Sequence, residues 1–379
     1  MDSPTLHLED ALRKPAGFAL MVKPVGALCN LGCRYCYYSE ASKGAKMDPA
    51  VLESTIRSYA EACEGPELQF LWHGGEPLLM GLDFYRKALE LERRYAGGRP
   101  VVNSLQTNGT LITDEWAALF RENGFLVGLS IDGPRDLHDR YRRDRGDGPS
   151  FDRVLAGWNR LHDAGVEVNT LTTVNRASEG RGAEVYAFLK GIGSHYMQFL
   201  PVMEFGPAAA MSVSGEAFGR FMTDIFDVWL RQDVGRFYVQ LFDAALAAWC
   251  GLSPGLCTLG RRCEGTVVVE HNGDIYPCDH VVPGHRIGNL LETPLRELVT
   301  REVFERFAAR KMASLPRRCL SCQWLPACNG ECPQHRQGGV NGLCAGYRLF
   351  FGHAAPSLDR MRALLAAGRA PAEIMETNE

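Results

Sequence analysis

An α/β fold built on a parallel sheet, followed by a region held together by cysteines, is what this sequence predicts. Three observations lead there. Up to Val202, short apolar runs alternate with amphipathic stretches, and strands alternating with helices of roughly 10–15 residues mark βαβ units. Eleven of the thirteen cysteines fall into three spaced sets. Eight of those lie between residues 257 and 344, where patterns for long strands and helices are few.

The elements follow in order. Phe18-Ala19-Leu20-Met21-Val22 is an apolar run that ends at the first cysteine loop. Asp48-Pro49 opens a helix, with Asp as N-cap and Pro at the first helical position. Leu68–Trp72 is the second strand, and Phe84, Ala88, Leu91 and Tyr95 mark a helical stripe after it. Pro100–Leu105 is the third strand. The helix Asp114–Asn123 stops at Gly124, a residue type suited to the left-handed position past a helix end. Phe125–Ser130 is the fourth strand. Ser150 is expected to cap a helix that turns Phe151, Val154, Leu155, Trp158 and Leu161 inward and ends at Gly165. Val166–Val174 and Tyr196–Val202 are strands five and six. Residues 215–250 read as helical. Thr266–Glu270 is a short strand before a Gly273-Asp274 turn, a helix is expected from Pro356 to Ala367, and the tail from Ala370 to Glu379 is expected to be loose.

The first cysteine set, Cys29, Cys33 and Cys36, has the form C-x3-C-x2-C. A cubane iron–sulfur cluster has four irons, so three thiolates leave one iron open to an outside ligand. An open coordination position is built for chemistry. The later sets contain Cys319-x2-Cys322, a spacing that also suits structural zinc. A disulfide framework is disfavoured by the clustering and by the lack of an apolar leader. Cys63 shares a helical face with Leu52, Ile56 and Tyr59, and Cys250 one with Phe242 and Leu246, so both read as core.

Three cysteines at this spacing after an apolar run resemble the signature of the radical S-adenosylmethionine (SAM) enzymes. That resemblance implies a partial (β/α)6 TIM-like barrel, with the open iron chelated by the amino and carboxylate groups of SAM. Cys257-x5-Cys263, Gly273-x4-Cys278, Cys319-x2-Cys322-x5-Cys328-x3-Cys332 and Cys344 resemble the SPASM domain. It implies two auxiliary [4Fe-4S] clusters, one on Cys257, Cys263, Cys278 and Cys332, the other on Cys319, Cys322, Cys328 and Cys344. The domains implied are a barrel over 1–235, a SPASM region with its bridging helix over 236–350, and a C-terminal helix and tail over 351–379.

Trp72-His73-Gly74-Gly75-Glu76-Pro77 resembles the family's GGEP turn at a strand's C-terminal end, where barrels build their active sites. Gly74, Gly75, Glu76 and Pro77 are thereby implied in binding the SAM amino group. Gln106 and Asn108, in NSLQTNGT, and Ser130, in LSIDGP, are polar tips on apolar strands and further candidates for SAM contact. The plain alternative for each is a satisfied strand–turn corner. Arg142 and Arg143 are candidates for the SAM carboxylate, since Arg forms bidentate carboxylate pairs; the sequence does not choose between them.

Taken with Tyr276-Pro277-Cys278-Asp279, these strings are similar to those of the anaerobic sulfatase-maturating enzymes over residues 18–350. Members of that subgroup oxidise a cysteine or serine of a sulfatase to Cα-formylglycine. A 5′-deoxyadenosyl radical takes a Cβ hydrogen, and a carboxylate beside an auxiliary-cluster cysteine takes the thiol or hydroxyl proton. By position that carboxylate is Asp279. Tyr38 matches an active-site tyrosine, and His73 stands where some members have glutamine. The resemblance implies a sulfatase polypeptide bound unfolded or extended, and a flavodoxin- or ferredoxin-type reductant. Its rival is a peptide maturase that crosslinks a small ribosomal precursor. The 17 residues before strand one are too few for the extra peptide-binding domain many maturases carry. A second rival, an inactive iron–sulfur scaffold or zinc protein, is disfavoured by the retention of every motif.

Composition is consistent with this. Of 379 residues, 46% are hydrophobic and 23% charged, ordinary for a globular protein. A net charge of −4 gives no sign of a nucleic-acid partner, and no apolar run approaches the roughly 20 residues that span a bilayer. Oxygen-sensitive thiolate clusters call for a reducing compartment, which points to the cytoplasm.

Overall fold

The structure, a computed structural model, describes residues 17–39, 44–203, 206–263, 265–281, 284–299 and 302–377. The lead before Gly17, weighed above for a peptide-binding domain, lies outside the described residues. A ten-stranded sheet runs through the molecule in the order β10-β9-β8-β1-β2-β3-β4-β5-β6-β7. Strands β1 (Ala19–Lys23), β2 (Leu68–Trp72), β3 (Val101–Thr107), β4 (Leu126–Ser130), β5 (Glu167–Val174) and β6 (Tyr196–Pro201) are parallel neighbours in chain order. The α/β fold and its six-unit parallel core are therefore as the sequence predicts. The helices joining them are α1 (Pro49–Ala62), α2 (Leu82–Tyr95), α3 (Asp114–Glu122), α4 (Arg135–Tyr141) with α5 (Phe151–Asp163), and α6 (Gly182–Gly191).

The cysteine-rich region is not a separate sheet. Its strand β8 (Thr266–Glu270) pairs parallel with β1, setting Lys23 opposite Glu270. Strands β9 (Asp274–Tyr276) and β10 (Gly288–Asn289) then extend the sheet antiparallel. Alternation along a strand decides what each face carries. Leu20, Val22, Phe70 and Trp72 are buried against the helices, with Tyr59–Phe70 and Trp72–Tyr85 ring pairs at 5.0 and 5.4 Å. The other face takes Met21 and Lys23 from β1, Leu71 and then His73 from β2, and Gln106 from β3. The register Val22↔Trp72↔Leu105 brings Lys23, His73 and Gln106 side by side at the C-terminal ends.

Four expectations change. Ser150 does not cap α5; its hydroxyl donates to the Arg142 carbonyl at 2.7 Å. Asp139 of α4 caps α5 instead, its Oδ1 accepting from the amides of Ser150 and Phe151 at 2.9 and 3.0 Å. The 215–250 stretch breaks into α7 (Gly215–Gln232), a short edge strand β7 (Tyr238–Val239) and α8 (Gln240–Trp249). The break sits at Gly235, with φ +75°, and lets Tyr196 pair with Tyr238. Residues Glu302–Ala313 form α9, and the last long helix, α10, runs Cys344–Ala366, starting well before Pro356. It keeps a buried stripe of Tyr347, Phe350, Phe351, Ala354, Leu358 and Met361 through the proline. It crosses α7 at backbone contact, where a Cβ on Gly346 would lie 2.0 Å from the Gly215 carbonyl. Finally, Pro371–Thr377 forms a 3-10 turn that buries Ile374 against the α7–α10 pair. Of the two leftover cysteines, Cys63 is buried and Cys250 half-buried. No helix among the described residues is long and apolar enough to cross a membrane.

Candidate active site

The loop after β1 carries Cys29, Cys33 and Cys36, and hydrogen bonds to three neighbouring segments hold it. The amides of Gly75 and Glu76 donate to the carbonyls of Gly26 and Leu28, both at 2.8 Å. Gly32 and Arg34 donate to the carbonyls of Arg143 and Tyr141 at 2.8 and 2.9 Å. Arg145 Nε donates to the Cys29 carbonyl at 2.7 Å. Asn108 donates to Asn30 at 2.8 Å, and Asn30 to Thr110 at 2.8 Å. The GGEP glycines are needed for this approach. Gly74 has φ +113°, and a Cβ on Gly75 would lie 2.0 Å from the Leu28 carbonyl oxygen. Burial pushes the Cys29 thiol up to about 12 and the Cys33 thiol up to about 11. Each of these thiols feels the charge of Cys36, so together they ionise only with a cation between them. Such a donor set fits an iron–sulfur core.

The other candidates for SAM contact surround this loop. Glu76 is fully buried and accepts from Thr107 Oγ1 and Asn108 N at 2.8 Å and Leu78 N at 3.1 Å. Burial raises its carboxyl to about 7 against those bonds. Pro77 starts the 3-10 turn Pro77–Met80 that Glu76 caps. Ser130 is buried at the end of β4. The structure separates the two arginines. Arg142 is buried, lies 3.1 Å from Asp132, and has its charge near Cys33. Arg143 instead closes its own loop, donating to the carbonyls of Asp139 and Asp147 at 2.8 Å. Asp132 was not singled out in the sequence. It accepts from the Tyr35 hydroxyl and from Thr173 N at 3.0 Å, which ties the cluster loop to β5.

Asp279 stands just past β9, next to Cys278, and is 14% exposed. Its Oδ1 is paired with the ammonium of Lys23, which is 0% exposed. Its Oδ2 accepts from the Tyr37 hydroxyl. Burial alone would raise this carboxyl, but the Lys23 charge overrides it and holds the group well below the usual carboxylate range. His73 lies close enough to feel both charges and bonds Gln106, while its Nδ1 accepts from Gly74 N at 2.7 Å. Burial lowers its imidazole below the ordinary value, so the ring is neutral. Tyr38 is turned away from Asp279. It is 3% exposed, packs with Met21, Val268 and Tyr276, and donates to Glu270. Its ring covers the Lys23 ammonium at 3.6 Å. Lys23, Tyr37 and Glu270 were missed in the sequence. Lys23 and Glu270 each close an apolar strand with a charge, a signal that marks the strand end but not the partner.

The eight later cysteines gather as two groups. Cys257, Cys263, Cys278 and Cys332 lie close enough to influence one another's ionisation. Burial raises Cys278 and Cys332 to about 12. The wholly buried Lys311 of α9 sits among them, donating to the carbonyls of Cys257 and Thr258 at 2.8 and 2.6 Å. Cys319, Cys322, Cys328 and Cys344 line a small pocket of about 30 Å³ with Trp324, Tyr347 and Phe351. Arg318 lies 3.3 Å from the Cys344 sulfur. Thiols gathered in two groups of four, with cations beside them, fit two anionic clusters.

Comparison with known proteins agrees. The radical SAM superfamily model matches residues 24–179, and an iron–sulfur cluster-binding domain model, SPASM, matches 257–323. The chain is 43% identical, over 94% of each sequence, to the serine-type anaerobic sulfatase-maturating enzyme of Bacteroides thetaiotaomicron. It is 31% identical to the cysteine-type enzyme of Clostridium novyi, over 88% of this chain and 94% of that one. The solved structure of native anSMEcpe with bound AdoMet and Cp18Cys peptide superposes with a TM-score of 0.84 at 31% identity, covering 91% of this chain and 99% of that one.

Proposed function

The chain belongs to the anaerobic sulfatase-maturating enzymes of the radical SAM superfamily, and from this premise we propose that it oxidises a target serine in an extended sulfatase segment to Cα-formylglycine, and a cysteine in second place. The preference for serine rests on the higher identity to the serine-type relative, 43% against 31%. The observation that carries the reading is the ionised Asp279 carboxylate beside the cluster ligand Cys278.

The change from –CH2OH to –CHO removes one hydrogen atom from Cβ, the hydroxyl proton and one electron. When bound, SAM and the three-cysteine cluster supply the hydrogen-atom acceptor, and the two four-cysteine clusters supply the route for the electron. Asp279 takes the proton. Loss of the Cβ hydrogen makes the remaining O–H far more acidic, and Asp279, held ionised by Lys23, is the acceptor beside it. His73 and Gln106 line the neighbouring strand ends and offer hydrogen bonds to the target backbone. The reductant is of flavodoxin or ferredoxin type, and the enzyme works in the cytoplasm.

The test is incubation with short Ser-x-Pro-x-Arg and Cys-x-Pro-x-Arg peptides, followed by mass spectrometry. Loss of two hydrogens from the serine peptide is expected. A thioether or carbon–carbon crosslink in place of an aldehyde would overturn the reading in favour of a peptide maturase. The GGEP turn gives a second check. Gly75→Ala puts a methyl 2.0 Å from the Leu28 carbonyl, which displaces the cluster loop by on the order of 1 Å. Misplacement on that scale costs up to ~10²-fold in rate. Release of 5′-deoxyadenosine is expected to fall roughly tenfold or more; an unchanged rate would show that the loop gives way freely.

A further inference from the structure

We infer that Tyr37 is a specificity-determining residue of the Asp279 site, its phenol donating to the oxygen of a serine target and favouring serine over cysteine. The inference deepens the formylglycine reading and rests on it. Two tyrosines follow Cys36, and the fold gives them opposite tasks. Tyr38 is 3% exposed, with its hydroxyl fixed on Glu270. Tyr37 is 43% exposed, stacks one face on His280 with centroids 5.2 Å apart and planes at 23°, and donates to Asp279 Oδ2.

Both carboxylate oxygens of Asp279 are thus engaged, Oδ1 by Lys23 and Oδ2 by Tyr37. Lys23 is wholly buried, so its side of the carboxylate is closed to solvent. Tyr37 has room on its open side. A target hydroxyl therefore reaches the carboxylate by entering between Oδ2 and the phenol. There it donates its proton to Asp279 and accepts a hydrogen bond from Tyr37. The phenol keeps its own proton throughout. As the target's proton leaves, negative charge grows on the target oxygen. A donor already aimed at that oxygen stabilises the charge as an oxyanion-hole donor does. A thiol sulfur is a weak acceptor and gains little from the same donor.

The experiment compares wild type and Tyr37→Phe on the serine and cysteine peptides, reading formylglycine formed per 5′-deoxyadenosine released. Removing one oxyanion donor costs ~10²–10³ in turnover where the site is closed, and less where the donor is partly exposed. The expected result is a serine-to-cysteine activity ratio at least about tenfold lower in Tyr37→Phe, with the loss in kcat and not in KM. Equal losses on the two peptides would mean that Tyr37 only steadies Asp279 and would overturn the proposal. No loss on serine would overturn it as well. A wild-type enzyme that forms formylglycine from neither peptide would bring down the underlying reading, a result the variant is not needed to see.

Discussion

Replacing Cys29, Cys33 and Cys36 together with Ala is expected to remove about four of roughly twelve irons from the reconstituted protein and to abolish SAM cleavage. The three thiols occupy one loop, and the eight auxiliary cysteines lie elsewhere, so iron should fall by a third and not to zero. The fold should survive. The loop is held by the backbone bonds of Gly26, Leu28, Gly32 and Arg34 and by Arg145 on the Cys29 carbonyl, none of which uses a sulfur. Removing Cys29 and Cys33 also removes two half-buried thiols whose ionisation burial disfavours. The auxiliary sets behave differently. They tie together a region of short elements, so metal-binding free energy there becomes folding free energy. Purified wild-type protein holding two zinc ions and no acid-labile sulfide would end the enzyme reading outright.

The parallel core was legible because each strand is an apolar run between turn residues, and each loop at its C-terminal end opens on a distinctive string. The rest was hidden for identifiable reasons. That β8 pairs beside β1 is a contact between distant parts of the chain, and no local pattern encodes it. The onset of α10 at Cys344 was masked by Pro356, which reads as a helix start although the buried stripe runs through it. Asp139 caps α5 from another helix, while the serine beside the helix is used elsewhere. Asp279 could be found only because it follows a cluster cysteine. Its two partners could not. Lys23 owes its place to strand parity, and nothing in Tyr37-Tyr38 tells which ring turns to the carboxylate and which anchors the loop.

Asp279→Asn is expected to leave SAM cleavage in place and to cut formylglycine output by at least about a hundredfold, within the ~10²–10⁴ that loss of a general base costs. The structure adds a complication and its control. Lys23 is fully buried, and Asp279 is its carboxylate partner. Removing one member of a buried pair strands the other charge, at a cost of about 3–5 kcal/mol. The single variant should therefore be less thermostable as well as inactive, and inactivity alone would not separate a lost base from a disturbed site. Pairing Asp279→Asn with Lys23→Met removes the stranded ammonium and keeps an unbranched apolar chain beneath the Tyr38 ring. The double variant should recover melting temperature and iron content. It should still release 5′-deoxyadenosine, and deuterium from a labelled target Cβ should still appear in it if hydrogen abstraction precedes proton loss. Formylglycine should stay as low as in the single variant. Recovery of formylglycine with stability would show that Asp279 serves to neutralise Lys23 and that another group takes the proton. Stability restored with product still absent is the outcome expected of a base at Asp279.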